Sequence, residues 1–149
     1  MFVRRLSIML VAAVLVGLAA PSARAALIEV AVTGVNEARG HIRVGICTED
    51  TFLTETCPYQ GVAQAIVGAT IVKVDGVPPG QYAAQVFQDE TDQGVVHQNA
   101  LGIPKEGIGF SNDAPLHLRG PRFSDAAFSV EQGVARITLK LRHLLGDKR

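Results

Sequence analysis

The side chains best equipped for chemistry gather between residues 89 and 113. Asp89, Glu90 and Asp92 are followed by His97, Asn99, Glu106, Ser111 and Asp113. Carboxylates and amides in one segment suit a hard cation, since calcium takes roughly six to eight oxygen ligands at about 2.3 to 2.6 Å. Asp89, Asp92 and Asn99 are the weak candidates for such ligands, with Glu106 further along. Gly107 and Gly109 would let the backbone turn back toward them at no steric cost. A second chemistry is hydrolysis, with Ser111 as nucleophile, His97 as base and Asp92 as the orienting acid. Phe110 and Asn112 flank that serine, so no Gly-x-Ser-x-Gly elbow surrounds it, and such triads are defined by geometry rather than order. The bland alternative is a solvated loop tip. His41, His117 and His143 share no i, i+2 or i, i+4 spacing, which argues against a dedicated zinc or copper site.

These residues sit in a stretch that has neither the helical nor the strand period. Residues 89–122 form an excursion of thirty-four residues carrying five glycines along with Leu101, Ile103, Ile108 and Phe110. Loops of that length inside a domain are uncommon and tend to be functional or disordered. Interspersed apolar residues predict an ordered, packed Ω-type loop. It either presents a functional surface or plugs the open end of the fold with Leu101, Ile103 and Phe110.

Around this loop, apolar residues recur at every second position, the period of half-buried strands. In residues 27–33, Ile28, Val30 and Val32 share a face; in residues 41–47, Ile42, Val44 and Ile46 do the same. Gly34 and Gly40 bracket the connection, predicting a hairpin. Residues 49–55 suit one helical turn. Residues 62–67 and 69–74 predict two short strands broken at Gly68, and Pro78-Pro79-Gly80 ends the second. Residues 81–88 follow, with Tyr82, Ala84 and Val86 on one face. Residues 126–131 and 134–142 predict a second hairpin around Gln132-Gly133. About seven short strands without a long helix predict an all-β antiparallel sandwich of immunoglobulin-like or transthyretin-like type, with one long ordered loop.

Composition places this domain outside the cytoplasm. Arg4 and Arg5 precede an uncharged run over residues 6–20, and Ala23-Arg24-Ala25 offers a small-x-small exit, the pattern of a cleaved secretory signal over residues 1–25. That run is shorter than the roughly 20 residues a spanning helix needs. The mature chain, residues 26–149, then holds eleven basic residues against fourteen acidic ones, a formal charge of −3. It carries no clustered basic face for nucleic acid and no second long apolar run for a membrane. Cys47 and Cys57, an even count in an oxidising compartment, are expected to pair. Closing a loop of about 11 residues stabilises a fold by roughly 2.5 to 3 kcal/mol.

Three segments resemble a known family. They are Val77-Pro78-Pro79-Gly80-Gln81-Tyr82 continuing to Phe87-Gln88-Asp89-Glu90, then Leu101-Gly102-Ile103-Pro104 to Gly109-Phe110-Ser111-Asn112, then Phe123-Ser124-Asp125-Ala126-Ala127-Phe128. Together they are similar to the bacterial domain of unknown function 2141 family. The resemblance implies an exported β-sandwich with a shared central loop and does not imply an activity. It also implies a loop of calcium-binding type, which Asp89 and Gly94 match at the first and sixth positions. Thr91, Gln93 and His97 depart from it. The expected function is a binding or interaction module that presents residues 89–122 to a ligand or protein outside the cytoplasm. The alternative is a periplasmic, hydrolase-like enzyme using the loop carboxylates, His97 or Ser111. Calcium is the sole cofactor these residues suggest.

Overall fold

The computed structural model describes residues 23–146. The expected leader lies, apart from its last three residues, outside the described residues. Among the described residues there are eight strands: β1 (Ala26–Val35), β2 (His41–Cys47), β3 (Tyr59–Gln64), β4 (Gly68–Val77), β5 (Gly80–Asp89), β6 (Ile108–Phe110), β7 (Ala127–Val130) and β8 (Val134–Lys140). A 3-10 turn over Ser111–Asp113 and one helical turn, α1 (Phe123–Ala126), interrupt the second half. Among the described residues, no helix is long and apolar enough to cross a membrane.

The strands form two facing sheets. One has the order β4-β1-β8; the other runs β3-β2-β5-β6, with β7 also on β5. All strand pairs are antiparallel except β1 with β8, which is parallel. The inward residues of the period-two pattern meet between the sheets. Ile28, Val30, Val32, Ile42, Val44 and Ile46 are buried there with Val72, Val74, Val86 and Leu139. Each such side chain contributes about 1.5 to 3 kcal/mol when fully buried.

Neither expected hairpin forms. β1 and β2 lie in opposite sheets, and so do β7 and β8. The glycines that resembled turn residues serve other contacts. Gly40 adopts φ +63°, and a Cβ there would stand 1.9 Å from the carbonyl oxygen of Asp89, so the start of β2 can lie against the end of β5 only as glycine. The amide of Leu27 donates to the carbonyl of Gly133 at 2.9 Å, beside the β1–β8 ladder. The expected break at Gly68 holds, because β4 begins there. The helical turn over residues 49–55 reduces to turns, with a single i→i−4 bond, Phe52 N–H to Thr48 C=O at 3.0 Å, between two i→i−3 bonds, from Thr51 to Thr48 and from Thr54 to Thr51; Leu53 turns left-handed at φ +65°.

The expected disulfide is present between Cys47 and Cys57, with Cα atoms 4.5 Å apart. It helps form a second, smaller core on the outer face of the five-stranded sheet. Cys47, Cys57, Phe52, Ala83, Ala114 and Ala126 are buried together there, with Phe110 and Phe123 packed against them. Phe52 sits edge-on to both Phe110 and Phe123, with ring centroids 5.9 Å apart in each pair. Thus β5 is covered on both faces.

Candidate functional site

Beside the smaller core, the outer face of the five-stranded sheet holds a cleft of ≈ 350 Å³. Strand register sets out its floor. Arg43 on β2 stands opposite Phe87 on β5, which stands opposite Ile108 on β6. The next outward row is Gln60, Gly45, Gln85 and Phe110, read across β3, β2, β5 and β6. Two loops form the walls. Leu53, Thr54, Glu55 and Cys57 come from the disulfide loop, and Gly94, Val96, Gln98 and Pro104 from the long excursion.

Two glutamines hold the first wall. The Gln85 side chain accepts the Leu53 N–H at 2.9 Å and donates to the Thr54 carbonyl at 2.7 Å. Gln60 donates to the carbonyl of Cys57 at 3.1 Å. A leucine with positive φ is an uncommon, strained conformation, and the Gln85 amide grips the backbone on either side of its peptide. Strain is thereby held at the rim of the cleft.

The second wall is held by charge. Asp89, only 1% exposed, accepts from Arg43 Nε at 2.6 Å and from the backbone N–H groups of Gly94 and Gln93 at 2.7 and 3.1 Å. Burial pushes its carboxyl up, but the hydrogen bonds from Arg43, Gly94 and Gln93 outweigh burial and hold it below the ordinary aspartate value. Arg39 approaches Glu90 at 3.6 Å, and His41 Nδ1 meets Asp92 at 2.5 Å. The bases in and just before β2 therefore face the acids at and just beyond the end of β5.

Further along, Glu106 receives both the backbone N–H of His97 at 2.9 Å and its ring Nδ1 at 2.6 Å. The other ring nitrogen of His97 faces Gln93 at 2.8 Å. Asn99 turns its side-chain oxygen onto the N–H groups of Leu101 and Ile103, at 2.9 and 3.0 Å, and so closes the loop tip.

Tertiary structure thus separates the residues that sequence grouped. The cation candidates do not converge: Asp89 is committed to Arg43 and two amides, Asp92 to His41, and Asn99 to its own turn. Among the described residues, no group of three or more His, Cys, Asp and Glu side chains is arranged to hold a metal ion. Ser111 is 1% exposed and remote in role from His97. Its hydroxyl accepts the Ala84 N–H at 2.9 Å and donates to the Ala126 carbonyl at 2.5 Å, bracing β5 against α1. Gly109 is no loop pivot but part of β6, where a Cβ would meet the Lys140 carbonyl oxygen at 2.4 Å; its bareness lets β6 approach the end of β8.

Arg43, Phe87 and Gln85 face the cleft without any motif marking them as a site, and Phe110, expected as a plug, faces it too. One signal was available. Ala83 and Phe87 fall on the face of β5 that alternation assigns to solvent, and apolar residues on both faces of a strand mark it as covered twice. Arginine, three glutamines and apolar rings can bind and orient a small molecule. Among the described residues that line the cleft, there is no Ser, His or Asp to supply a nucleophile with its base.

No curated protein and no solved structure matches this chain. The sequence model of a bacterial family described as "Uncharacterized protein conserved in bacteria (DUF2141)" matches residues 30–138, a span that includes the floor and both walls of the cleft, and the chain belongs to that family.

Proposed function

We propose that this protein is an exported binding module whose ligand sits on the outer face of the five-stranded sheet, between the disulfide loop and the long excursion. The cleft itself carries the reading. Its ≈ 350 Å³ lies within the range of roughly 300 to 1,000 Å³ typical of small-molecule sites. Such sites combine apolar walls with a few placed polar groups, as Phe87, Phe110, Val96 and Ile108 combine here with Arg43 and Gln98. Export rests on the leader pattern of residues 1–25, and the disulfide suits an oxidising compartment. A catalytic reading loses its main support because the Ser111 hydroxyl is spent on backbone bracing.

The test is a small-molecule screen of the processed protein by amide NMR. Binding should move the resonances of Gly45, Phe87, Val96 and Ile108 together and raise the melting temperature by mass action. Hits whose shifts map elsewhere, on the outer face of the β4-β1-β8 sheet for example, would overturn the assignment. Intact mass of the exported protein should begin at Ala26; a retained leader would refute export by this route.

A further inference from the structure

We infer that the ligand is a small monocarboxylate with an apolar body, its carboxylate held by Arg43 and its body laid across Phe87 and Ile108. This rests on the reading of the cleft as a binding site and names the ligand's chemistry. Arg43 is the single basic side chain among the described residues lining the cleft, and its side chain is 31% exposed. Asp89 takes its Nε, and the two terminal nitrogens have no hydrogen-bond partner among the described residues. An arginine gripped from behind through one nitrogen presents the end of its fork already oriented. Planar, two-point recognition of a carboxylate is what that fork does best.

The remaining geometry sets the size and charge of the ligand. Arg43, Phe87 and Ile108 lie in one row across β2, β5 and β6, so with strands about 4.8 Å apart the row spans about 10 Å. Its charged end is Arg43 and its apolar end is Ile108, with Val96 and Pro104 in the wall beside it. Charge limits the head group. Asp89 already offsets much of the single guanidinium, and Glu55 stands on the opposite wall. A phosphate dianion would need further bases that the cleft lacks, whereas a monoanion needs only the one.

The experiment compares 3-phenylpropionate, its neutral amide 3-phenylpropionamide and the cation 3-phenylpropylammonium by NMR titration of the processed protein. The carboxylate should bind about tenfold or more tightly than the amide, the margin of a charge-assisted bond over a neutral one. Arg43→Gln alone would strand the buried Asp89 and endanger folding. The double variant Arg43→Gln with Asp89→Asn removes both charges, and it should erase the preference while still binding the amide. Equal binding of carboxylate and amide to the unaltered protein would overturn the carboxylate assignment and leave the binding site standing. Preference for the ammonium would overturn it in favour of Glu55 as the recognising group. Failure of all three compounds to shift Phe87 or Ile108 would overturn the carboxylate assignment, and the broader screen then decides whether the cleft binds at all.

Discussion

The disulfide loop over residues 48–57 is fastened to the sheet by a covalent bond, a cluster of phenylalanine rings and the amides of Gln60 and Gln85. Across the cleft, residues 89–106 are held by Arg43–Asp89, His41–Asp92 and His97–Glu106 and by the Asn99 turn. One wall rests on a covalent bond, ring packing and neutral amides; the other rests on acidic and basic side chains, the most buried of them Asp89. A site built this way has a rigid side that sets shape and a polar side that can loosen, since regions with few buried apolar contacts open locally at low cost.

The contrast is broken most severely by Phe52→Ala. It removes the ring shared by Phe110 and Phe123, and truncating a buried aromatic costs about 3 kcal/mol. Chemical denaturation should show that loss, and amide exchange should show the Leu53 backbone freed while Gly94 stays protected. Next comes Cys47→Ala with Cys57→Ala, which should cost about 2.5 kcal/mol by releasing the denatured loop. A thermal melt of the double variant that coincides with the parent's would mean that aromatic packing alone holds this wall.

Acid should act on the other side. Asp89 titrates below its ordinary value when folded, so its contribution is complete above pH 3.8 and is lost as pH falls from there toward the depressed folded value. Protection of the Gln93 and Gly94 amides, measured relative to intrinsic exchange, is expected to fall in that window ahead of protection at Leu53. Asp89→Asn should remove that acid-induced loss of protection. Asp50, on the disulfide wall, is also held low by the Thr48 hydroxyl, but it is fully exposed and adds little to the wall's acid response. The smallest effect is expected from Asn99→Ala, about 1 kcal/mol for the two backbone amides left without their acceptor. It should broaden the amide resonances of Leu101 and Ile103 without disturbing Phe52.

Much of the molecule is legible in its residues. Alternation identified Ile28, Val30, Val32, Ile42, Val44 and Ile46 as core, and all six are buried. The long excursion was expected to be ordered, and its tip is closed by Asn99 while β6 joins the sheet. The carboxylates and Ser111 suggest a site only because they lie close in sequence. Proximity along the chain says nothing about what stands opposite. Arg43 meets Asp89 across 46 residues, and Ser111 braces Ala84 across 27.

Composition and period by themselves determined an all-β domain, its inward faces and the pairing of its two cysteines. A period of two dictates which face of a strand is buried, and with only two cysteines in the chain the pairing has one solution. Partner choice belongs to the tertiary structure. The same alternating strand satisfies its inward face against any neighbour, so β1 and β2 could have formed a hairpin. Close approach at Gly40 and the β1–β8 ladder beginning at Leu27 instead place them in opposite sheets. The cleft follows from that choice, because only with β2 beside β5 does Arg43 stand opposite Phe87, and with Asp89 close enough to hold it.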